Sequence, residues 1–485
     1  MKEIIIDPIT RLEGHGKINI FLDDEGNVAN AYLVIPELRG FEKFCEGRKA
    51  EDLPIITTRI CGVCPVAHHM ASAKALDAAF NVDPPSAAKK LRELMYCGYI
   101  TYDHILHFYF LGGPDFIVGP DAPASERNIL GVIKKAGLDV GKDVIKHRAF
   151  GQKITAILGG KATHPVSGIP GGFSKALNEE DRQEIEKMAR QCVEFSKFTL
   201  SLFGDVVLKN KSYMDLINSD IYSMKTYYMG LVDTENKVNF YDGKVRVVDP
   251  EGKEFAKIAP SEYLDLIEEH VEPWTYVKFP YLKKVGWKGF VDSSESGLYR
   301  VGPLGRLNAS GGMSTPLADQ EFRRMYEILG GKPTHSTLAF HWARLVELLN
   351  VSERAVELVQ DPEITSEHVR NPVGVPGEGV GIVEAARGTL IHHYVLDEDA
   401  MVKKVNLIVA TTNNSAAINL SIRDAAKGLI KNGRISEGLL NKVEMAFRAY
   451  DPCMACATHL GVGQMPLQVS IYDHQRKLTK VLARS

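Results

Sequence analysis

The stretch DPCMACATH at residues 451–459 decides how we expect this chain to fold. It places Cys453 and Cys456 in the spacing C-x-x-C, with a histidine three residues further on. A counterpart, RICGVCPVAH, lies at residues 59–68 and has the same cysteine spacing, again followed by a histidine. Because a C-x-x-C turn can present two sulfurs to one metal ion, we predict that the two pairs meet in a single four-thiolate site.

Length and composition are those of an ordinary globular protein. The 485 residues are 45% hydrophobic and 25% charged, which allows a sizeable core. A formal net charge of −3 disfavours nucleic acid or an anionic membrane as the main partner. The N-terminus has no signal-peptide core, and residues 94–111, the most apolar long stretch, include ionisable side chains. We therefore expect no membrane span and a cytoplasmic location.

Seven cysteines occur in the chain, and four of them form the two pairs. An odd number without a secretion signal fits reduced thiols rather than a disulfide framework. By residue type alone the pairs admit a structural zinc site, a redox dithiol or a catalytic metal site. Zinc-binding pairs usually lie about 15–20 residues apart, and the wide separation here favours the catalytic alternative. The three isolated cysteines are expected to be buried and structural.

The hydrophobic pattern predicts one α+β domain, with a predominantly helical core and β-rich N-terminal and C-terminal segments. We expect an N-terminal hairpin or small sheet within residues 4–35, and the glycine-rich residues 377–381 to form a loop. Helices are predicted at residues 68–80, 87–110, 125–158 (as two helices), 178–203, 317–360, 416–431 and 436–449. Strands are predicted at residues 245–258 (a hairpin), 388–395 and 402–409.

Several motifs together resemble those of the large subunit of NiFe hydrogenases. The two cysteine motifs are similar to the R-x-C-G-x-C-x-x-x-H and D-P-C-x-x-C-x-x-H signatures of that family. Further counterparts are DPITRLEGH at residues 7–15, RGFE at 39–42, Asp103-His104 and EAARG at 384–388. Because these motifs follow one another in the family's order, the resemblance implies the NiFe hydrogenase large-subunit fold over residues 1–459.

The resemblance implies a nickel–iron centre whose iron carries carbon monoxide and cyanide ligands. Nickel would be held by all four paired cysteines, Cys61, Cys64, Cys453 and Cys456. Of these, Cys64 and Cys456 would also bridge to iron. A magnesium or iron ion would lie near the C-terminal end of the domain, bound by Glu42 and His459; the histidine leaves the identity of that ion open, since magnesium prefers oxygen ligands.

Roles for neighbouring side chains also follow from the resemblance. Glu13 would relay a proton from the terminal ligand Cys453. Arg387 would direct its guanidinium into the site, with Asp103 and Asp451 as the carboxylates that hold it. By residue type alone, each of these could instead be an ordinary surface, turn or ion-paired residue.

Two more side chains would contact the centre. His68 would form a hydrogen bond with a bridging cysteine, and Thr411 with a cyanide ligand. Otherwise, a histidine behind C-x-x-C is more often structural, and Thr411 would be an ordinary strand residue. Ala386 stands where the family usually has proline, which loosens the loop before Arg387 but removes no chemistry.

The activity implied is reversible heterolytic cleavage of dihydrogen. Too few cysteines remain for iron–sulfur clusters in this chain, so a small subunit would carry them. Residues 46–48 and 392–394 resemble the cytosolic multimeric hydrogenases, whose flavin and iron–sulfur subunits couple to NAD(P), to ferredoxin or to a heterodisulfide reductase; we favour the NAD-linked type. Residues 460–485 resemble the extension that a maturation endopeptidase removes once nickel is in place.

Three alternatives remain at this point. A hydrogen-sensing regulatory homologue would have the same metal ligands and low turnover. The related quinone-site subunit of respiratory complex I has the fold but lacks the cysteines found here. A zinc-stabilised structural subunit is the alternative that is not an enzyme.

Overall fold

The computed structural model describes residues 2–35, 37–459, 467–472 and 478–484. Its helices are α1 (Phe41–Cys45), α2 (Leu53–Ile56), α3 (Pro65–Ala79), α4 (Ser86–Leu106), α5 (Pro114–Ile117), α6 (Ile129–Ala136), α7 (Leu138–Gly159), α8 (Glu179–Phe203), α9 (Lys211–Ile217), α10 (Tyr263–Leu266), α11 (Gly302–Ala309), α12 (Pro316–Ile328), α13 (Phe340–Gln360), α14 (Ala410–Asn413), α15 (Ser415–Leu429), α16 (Glu437–Arg448) and α17 (Met454–Ala457).

The strands form small sheets between these helices. They are β1 (Lys2–Ile6), β2 (Lys17–Leu22), β3 (Val28–Val34), β4 (Gly168–Ile169), β5 (Gly172–Phe173), β6 (Tyr227–Val232), β7 (Lys244–Val248), β8 (Glu254–Ile258), β9 (Ile267–His270), β10 (Phe279–Leu282), β11 (Tyr299–Arg300), β12 (Glu378–Ala385), β13 (Gly388–Leu396), β14 (Val402–Ile408), β15 (Leu467–Tyr472) and β16 (Leu478–Arg484).

The long helices α4, α7, α8 and α13 pack against one another and form the helical core that the sequence predicted. Local signals explain their boundaries. In α8 the Asn178 side chain accepts a hydrogen bond from the amide N–H of Asp181, and three acidic residues occupy the first turn, as expected at the positive end of a helix. The helix predicted to end at Gly112 continues past α4 as a π-helical turn, His107–Gly112.

Three-stranded antiparallel sheets lie at both ends of the domain, in the orders β1-β2-β3 and β12-β13-β14. The first contacts α15, where the Asn419 side chain accepts a hydrogen bond from the amide N–H of Leu33 at 2.9 Å. Helix α3 packs against β12 and β13. These contacts bring both ends of the chain onto one helical core, as the meeting of the cysteine pairs requires.

The prediction of a loop at residues 377–381 was wrong, because β12 begins at Glu378. Its glycines serve close packing rather than a turn. A Cβ atom at Gly379 would lie 2.2 Å from the Ala79 backbone nitrogen, and one at Gly381 would lie 2.2 Å from the Ala71 carbonyl oxygen. The glycines and the alanine-rich helix α3 therefore let the strand and the helix backbones approach one another.

The predicted hairpin at residues 245–258 is confirmed as β7 and β8, but it belongs to a larger sheet of order β11-β6-β7-β8 that the sequence did not reveal. Strand β6 is buried along its whole length, so it shows no alternation of polar and apolar residues. No helix of the described residues is long and apolar enough to cross a membrane.

Strands β15 and β16 pair as an antiparallel hairpin within the segment predicted to be a removable extension. Residues 460–466, 473–477 and 485 lie outside the described residues, so the structure leaves that prediction untested.

Candidate metal centre

The structure brings the two cysteine pairs together. The Sγ atoms of Cys61 and Cys453 lie 3.3 Å apart, and those of Cys64 and Cys456 lie 3.2 Å apart. All four sulfurs lie within 4.8 Å of one another, and their side chains are buried and free of disulfides. Sulfurs this close can act together as ligands of soft or borderline metal ions.

The electrostatics of the four thiols fit a bound cation. Hydrogen bonds from the neighbouring thiols, that of Cys453 first, hold the pKa of Cys61 well below its usual value. Burial holds the pKa values of Cys453 and Cys456 well above theirs. Four buried thiolates repel one another, and a metal cation supplies the positive charge that allows them all to ionise.

Each cysteine pair lies in a loop that turns back onto its first sulfur. The amide N–H of Cys64 donates to Cys61 Sγ at 3.4 Å, and that of Cys456 donates to Cys453 Sγ at 3.4 Å. Cys64 is also the N-cap of α3, where Pro65 occupies a first-turn position. The N–H groups favour negative charge on the first sulfur of each pair.

Arg39 fastens the two loops to each other. Its Nη1 donates to the carbonyl of Ile60 in one loop and, at 3.3 Å, to that of Ala455 in the other. Its Nη2 donates to the Arg59 carbonyl at 3.0 Å, and its amide N–H donates to the Thr458 carbonyl at 2.9 Å. The sequence motif contained Arg39 but gave no indication of this function, which depends on loops that are distant in the chain.

Glu13 lies beside the C-terminal cysteine pair, as predicted. It forms a parallel β-bridge with Cys453, and the amide N–H of Met454 donates to its carbonyl at 2.9 Å. Its Oε2 accepts hydrogen bonds from Cys453 Sγ at 2.9 Å and from the Ala455 amide at 3.1 Å. Burial raises the pKa of Glu13. The carboxylate is therefore within reach of a proton carried by Cys453.

Arg387 forms the predicted ion pairs. Its Nη1 and Nη2 donate to the two oxygens of Asp103 at 3.0 and 3.1 Å, and Asp451 Oδ2 lies 3.0 Å from Nη2 without hydrogen-bond geometry. Against the effect of burial, Asp103 and Asp451 raise the pKa of Arg387, and Cys453 and Cys64 contribute in the same direction. The guanidinium thus stays charged beside the sulfurs, and its Nε has no partner among the described residues.

Arg306, which sequence reasoning missed, holds the loop before Arg387. Its fully buried guanidinium donates to Glu347 at 2.6 and 2.7 Å and to Glu384 at 2.8 Å. It also donates to the carbonyls of residues 385 and 386, at 2.7 and 3.3 Å. Because these carbonyls immediately precede Arg387, the buried ion-pair network fixes the backbone that aims it. A single arginine within α11 carries no sequence pattern that would reveal this role.

His68 approaches the second cysteine of the other pair. Its Nε2 lies 3.6 Å from Cys456 Sγ, and its Nδ1 lies 3.1 Å from His392 Nε2. Burial lowers the pKa of His68 to about 4, so the ring is neutral. Thr411 also lies at the site, where its Oγ1 accepts a hydrogen bond from the amide N–H of Cys453 at 3.1 Å.

Glu42 and His459 also come together, behind the cysteine site. His459 Nε2 lies 2.6 Å from the Leu407 carbonyl oxygen and 4.0 Å from Glu42 Oε1, while its Nδ1 faces the Cys456 carbonyl at 2.7 Å. Glu42 Oε1 accepts from the Leu407 amide at 2.8 Å. Two oxygens and a ring nitrogen thus converge, a donor set that suits magnesium or iron.

Comparison with known proteins identifies the family. A profile described as Nickel-dependent hydrogenase matches residues 39–126 and 143–459, and one described as HoxL-like matches residues 3–38. The chain belongs to the nickel-dependent hydrogenase family. It is a hydrogenase large subunit, and the fold predicted from its motifs is confirmed.

Named relatives of this hydrogenase match along the whole chain. It is 51% identical, over 99% of both sequences, to an iron-sulfur subunit of the F420-non-reducing hydrogenase of Archaeoglobus profundus. It is 38% identical, over 100% of both, to the NAD-reducing hydrogenase HoxS subunit beta of Cupriavidus necator. The solved NAD+-reducing NiFe hydrogenase in its H2-reduced state has a TM-score of 0.89 and 37% identity, covering 95% of this chain and 100% of that chain.

All the side chains predicted to surround the metal lie close to the four cysteines or to the Glu42–His459 site. What the sequence missed are the residues that hold them, namely Arg39, Arg306, His392 and Tyr394. The functions predicted for the individual site residues remain predictions.

Proposed function

We propose that this protein catalyses the reversible heterolytic cleavage of dihydrogen at a nickel–iron centre held by its two cysteine pairs. One observation supports this most directly: the Glu13 carboxylate lies 2.9 Å from the sulfur of Cys453, within a group of four sulfurs all within 4.8 Å of one another. A proton acceptor in contact with a metal-binding thiol is what heterolytic cleavage requires.

The donor set suits the proposed centre, with Cys64 and Cys456 bridging to an iron that carries carbon monoxide and cyanide. When bound, the centre supplies the Lewis acidity and redox chemistry that split dihydrogen. Thr411 and Arg387 present polar groups beside the sulfurs and would contact the diatomic ligands of iron.

Glu13 receives the proton. Cys453 Sγ donates directly to its Oε2, so a proton on this sulfur needs no water or side chain to reach the carboxylate. Glu13 is half-buried, and Gly14 and His15, which follow it, are exposed. The carboxylate therefore lies between the buried sulfurs and the surface, where it can pass the proton outward.

Arg387 keeps a fixed positive charge near the reacting atoms. Its bidentate pair with Asp103 and its approach to Asp451 prevent rotation of the guanidinium. A preorganised charge in a buried site stabilises developing negative charge without reorganisation. The second ion, bound by Glu42, His459 and the Leu407 carbonyl, would hold the end of the domain against β14.

Electrons must leave through a partner. Among the described residues, the four cysteines are the one group of three or more histidine, cysteine and carboxylate side chains close enough to hold a metal. We therefore propose an iron–sulfur small subunit, with further flavin and iron–sulfur subunits that pass electrons to NAD(P), to ferredoxin or to a heterodisulfide. Relatives named as F420-non-reducing and NAD-reducing support an acceptor other than F420.

We also propose that a maturation endopeptidase removes residues 460–485. The solved NAD+-reducing relative is covered completely by 95% of this chain, which leaves a remainder about the size of that segment. By contrast, the sequences from A. profundus and C. necator match 99% and 100% of this chain. The difference supports a mature protein that ends near His459.

The test is metal analysis, infrared spectroscopy and intact mass on protein purified anaerobically with its partner subunits. We expect nickel and iron, carbon monoxide and cyanide stretching bands, hydrogen–deuterium exchange, and a mass that corresponds to residues 1–459. Zinc alone without diatomic bands would overturn the catalytic proposal, and exchange with negligible turnover would indicate a hydrogen sensor.

Glu13→Gln tests the proton step. The amide preserves the shape of the side chain and can still accept from the Ala455 amide, but it cannot take a proton. We expect normal metal content and infrared bands with turnover about 100-fold lower or less, at the lower end of what a general base contributes. Glu37→Gln is the control, because Glu37 contacts His15 near the surface rather than a cysteine. Equal turnover in the two variants would refute the assignment.

A further inference from the structure

Two consecutive histidines on β13 point in opposite directions, because side chains alternate along a strand. His393 lies on one side, where Nδ1 is 2.9 Å from the Tyr263 hydroxyl and Nε2 is 2.7 Å from Glu378. His392 and Tyr394 lie on the other side and face α3. The sequence analysis drew attention to this segment, but the proposed function gives it no role.

The inward side chains extend the contact between His68 and Cys456. Starting at the Cys456 sulfur, His68 Nε2 lies at 3.6 Å, and His68 Nδ1 lies 3.1 Å from His392 Nε2. His392 Nδ1 lies 2.6 Å from the Tyr394 hydroxyl, which is 3.0 Å from Ser72 Oγ. His68 and Ser72 occupy one face of α3, four residues apart, as His392 and Tyr394 occupy one face of β13. All four side chains are fully buried.

The spacing allows one proton in each contact. Two ring nitrogens 3.1 Å apart share a single N–H, since two N–H groups would repel and two bare nitrogens would leave buried lone pairs facing each other. Burial keeps both rings neutral, in agreement with the lowered pKa values of His68 and His392. Whichever nitrogen of His392 carries its proton therefore decides which nitrogen of His68 carries the other.

A cysteine that binds metal is a thiolate and can only accept a hydrogen bond. His68 must then carry its proton on Nε2 to donate to Cys456, which leaves Nδ1 as an acceptor. His392 must donate from Nε2 and accept at Nδ1, and the Tyr394 hydroxyl is the group placed to donate there. Each member of the chain thus has one arrangement that is compatible with a thiolate.

We infer that His392 and Tyr394 are positioning residues that hold His68 as a hydrogen-bond donor to the Cys456 thiolate of the metal centre. This inference rests on the proposed function. A hydrogen bond to a metal-bound sulfur withdraws electron density from it, and such outer contacts tune a metal site as well as orient its ligands. The relay would therefore set the electron density that Cys456 donates to the metals.

The test compares three variants of the complete, anaerobically purified complex. His392→Leu removes the donor to His68 and Tyr394→Phe removes only the hydroxyl. His393→Leu is the matched control, because it makes the same change one residue away on the opposite face of β13. Nickel content, infrared spectra of the carbon monoxide and cyanide bands, and hydrogen–deuterium exchange are measured for each.

We expect the diatomic bands of His392→Leu to move to lower wavenumber, because the sulfur then donates more electron density, with a smaller shift in Tyr394→Phe and none in His393→Leu. Exchange should fall about tenfold in His392→Leu, as for the loss of other outer contacts. Bands that coincide with those of the unmodified protein in both relay variants would overturn the inference alone. If His392→Leu fails to load nickel, Tyr394→Phe decides. Absence of diatomic bands from the unmodified protein would overturn the proposed function and the relay with it.

Discussion

The two cysteine loops have the same internal turn but are held in different ways. The N-terminal pair leads directly into α3, a helix of 15 residues whose first turn contains Pro65. The C-terminal pair leads into α17, which has only four residues. Its backbone is held from far along the chain instead, since Glu13 accepts from the amides of Met454 and Ala455, and Thr411 accepts from that of Cys453.

This difference separates two ways of making a rigid ligand pair. In the N-terminal loop the sequence itself supplies a helix, so the geometry survives small changes elsewhere. In the C-terminal loop the ligands depend on two other segments being packed correctly. Loss of remote contacts should therefore harm the C-terminal pair more than loss of local ones harms the N-terminal pair.

The largest effect is expected where the two loops are equivalent, at their sulfurs. Cys64→Ser and Cys456→Ser should each lose nearly all bound nickel and lower hydrogenase activity at least about 100-fold, beyond the usual effect of an outer contact. Nickel analysis and activity of the purified complex provide the measurement. Cys192→Ser, a buried cysteine outside the site, should keep its nickel. Nickel retained in only one of the two pair variants would show that the loops are not equivalent ligands.

Gly14→Ala should show the next largest effect, because the C-terminal loop packs directly on Gly14. Its φ is +81°, and an added Cβ would lie 2.8 Å from Met454 Cβ and 3.1 Å from the Ala455 nitrogen. The left-handed backbone alone costs about 1–2 kcal/mol of the free energy of unfolding, and the clash adds to it. Urea unfolding and nickel content test this.

Gly62→Ala is the matched change in the N-terminal loop. No described atom lies within 4 Å of a Cβ built there, so the free energy of unfolding should change by less than about 0.5 kcal/mol. Equal effects of the two substitutions would contradict the proposed difference between the loops.

Thr411→Val removes the acceptor for the Cys453 amide and leaves that buried N–H without a partner. We expect the free energy of unfolding to fall by about 1–3 kcal/mol, measured by urea unfolding. The neighbour provides a control, since the Thr412 hydroxyl is buried and has no partner among the described residues. Thr412→Val should be neutral or slightly stabilising. A larger loss in Thr412→Val would refute the role given to Thr411.

Pro65→Ala should have the smallest effect. The proline fixes the first turn of α3 chiefly by restricting the unfolded chain, which is worth about 0.4–1 kcal/mol. The denaturation midpoint should therefore fall slightly while nickel content stays unchanged. A loss of nickel here as large as in Gly14→Ala would mean that the N-terminal loop depends on its cap as heavily as the C-terminal loop depends on Glu13.

Local patterns predicted most long elements, because they rest on interactions within a few residues. Caps, apolar periodicity and turns placed α8, the two helices before the C-terminal cysteines, and strands β13 and β14. Strands β6 and β12 escaped prediction for opposite reasons. The first is buried on both faces and does not alternate, while the glycines of the second serve contact with α3 and imitate a loop.

The sequence by itself determined the metal ligands, since cysteine spacing and thiolate chemistry need no knowledge of the fold, and its ordered motifs determined the family. It also marked Glu13, Arg387 and His68 as candidates. Only the tertiary structure decided what holds them. Arg39 joins loops from the two ends of the chain, Arg306 fixes the loop before Arg387, and His392 with Tyr394 orients His68. Such contacts join residues that are distant in sequence, so no local pattern records them, and burial far from water is what makes each of them specific.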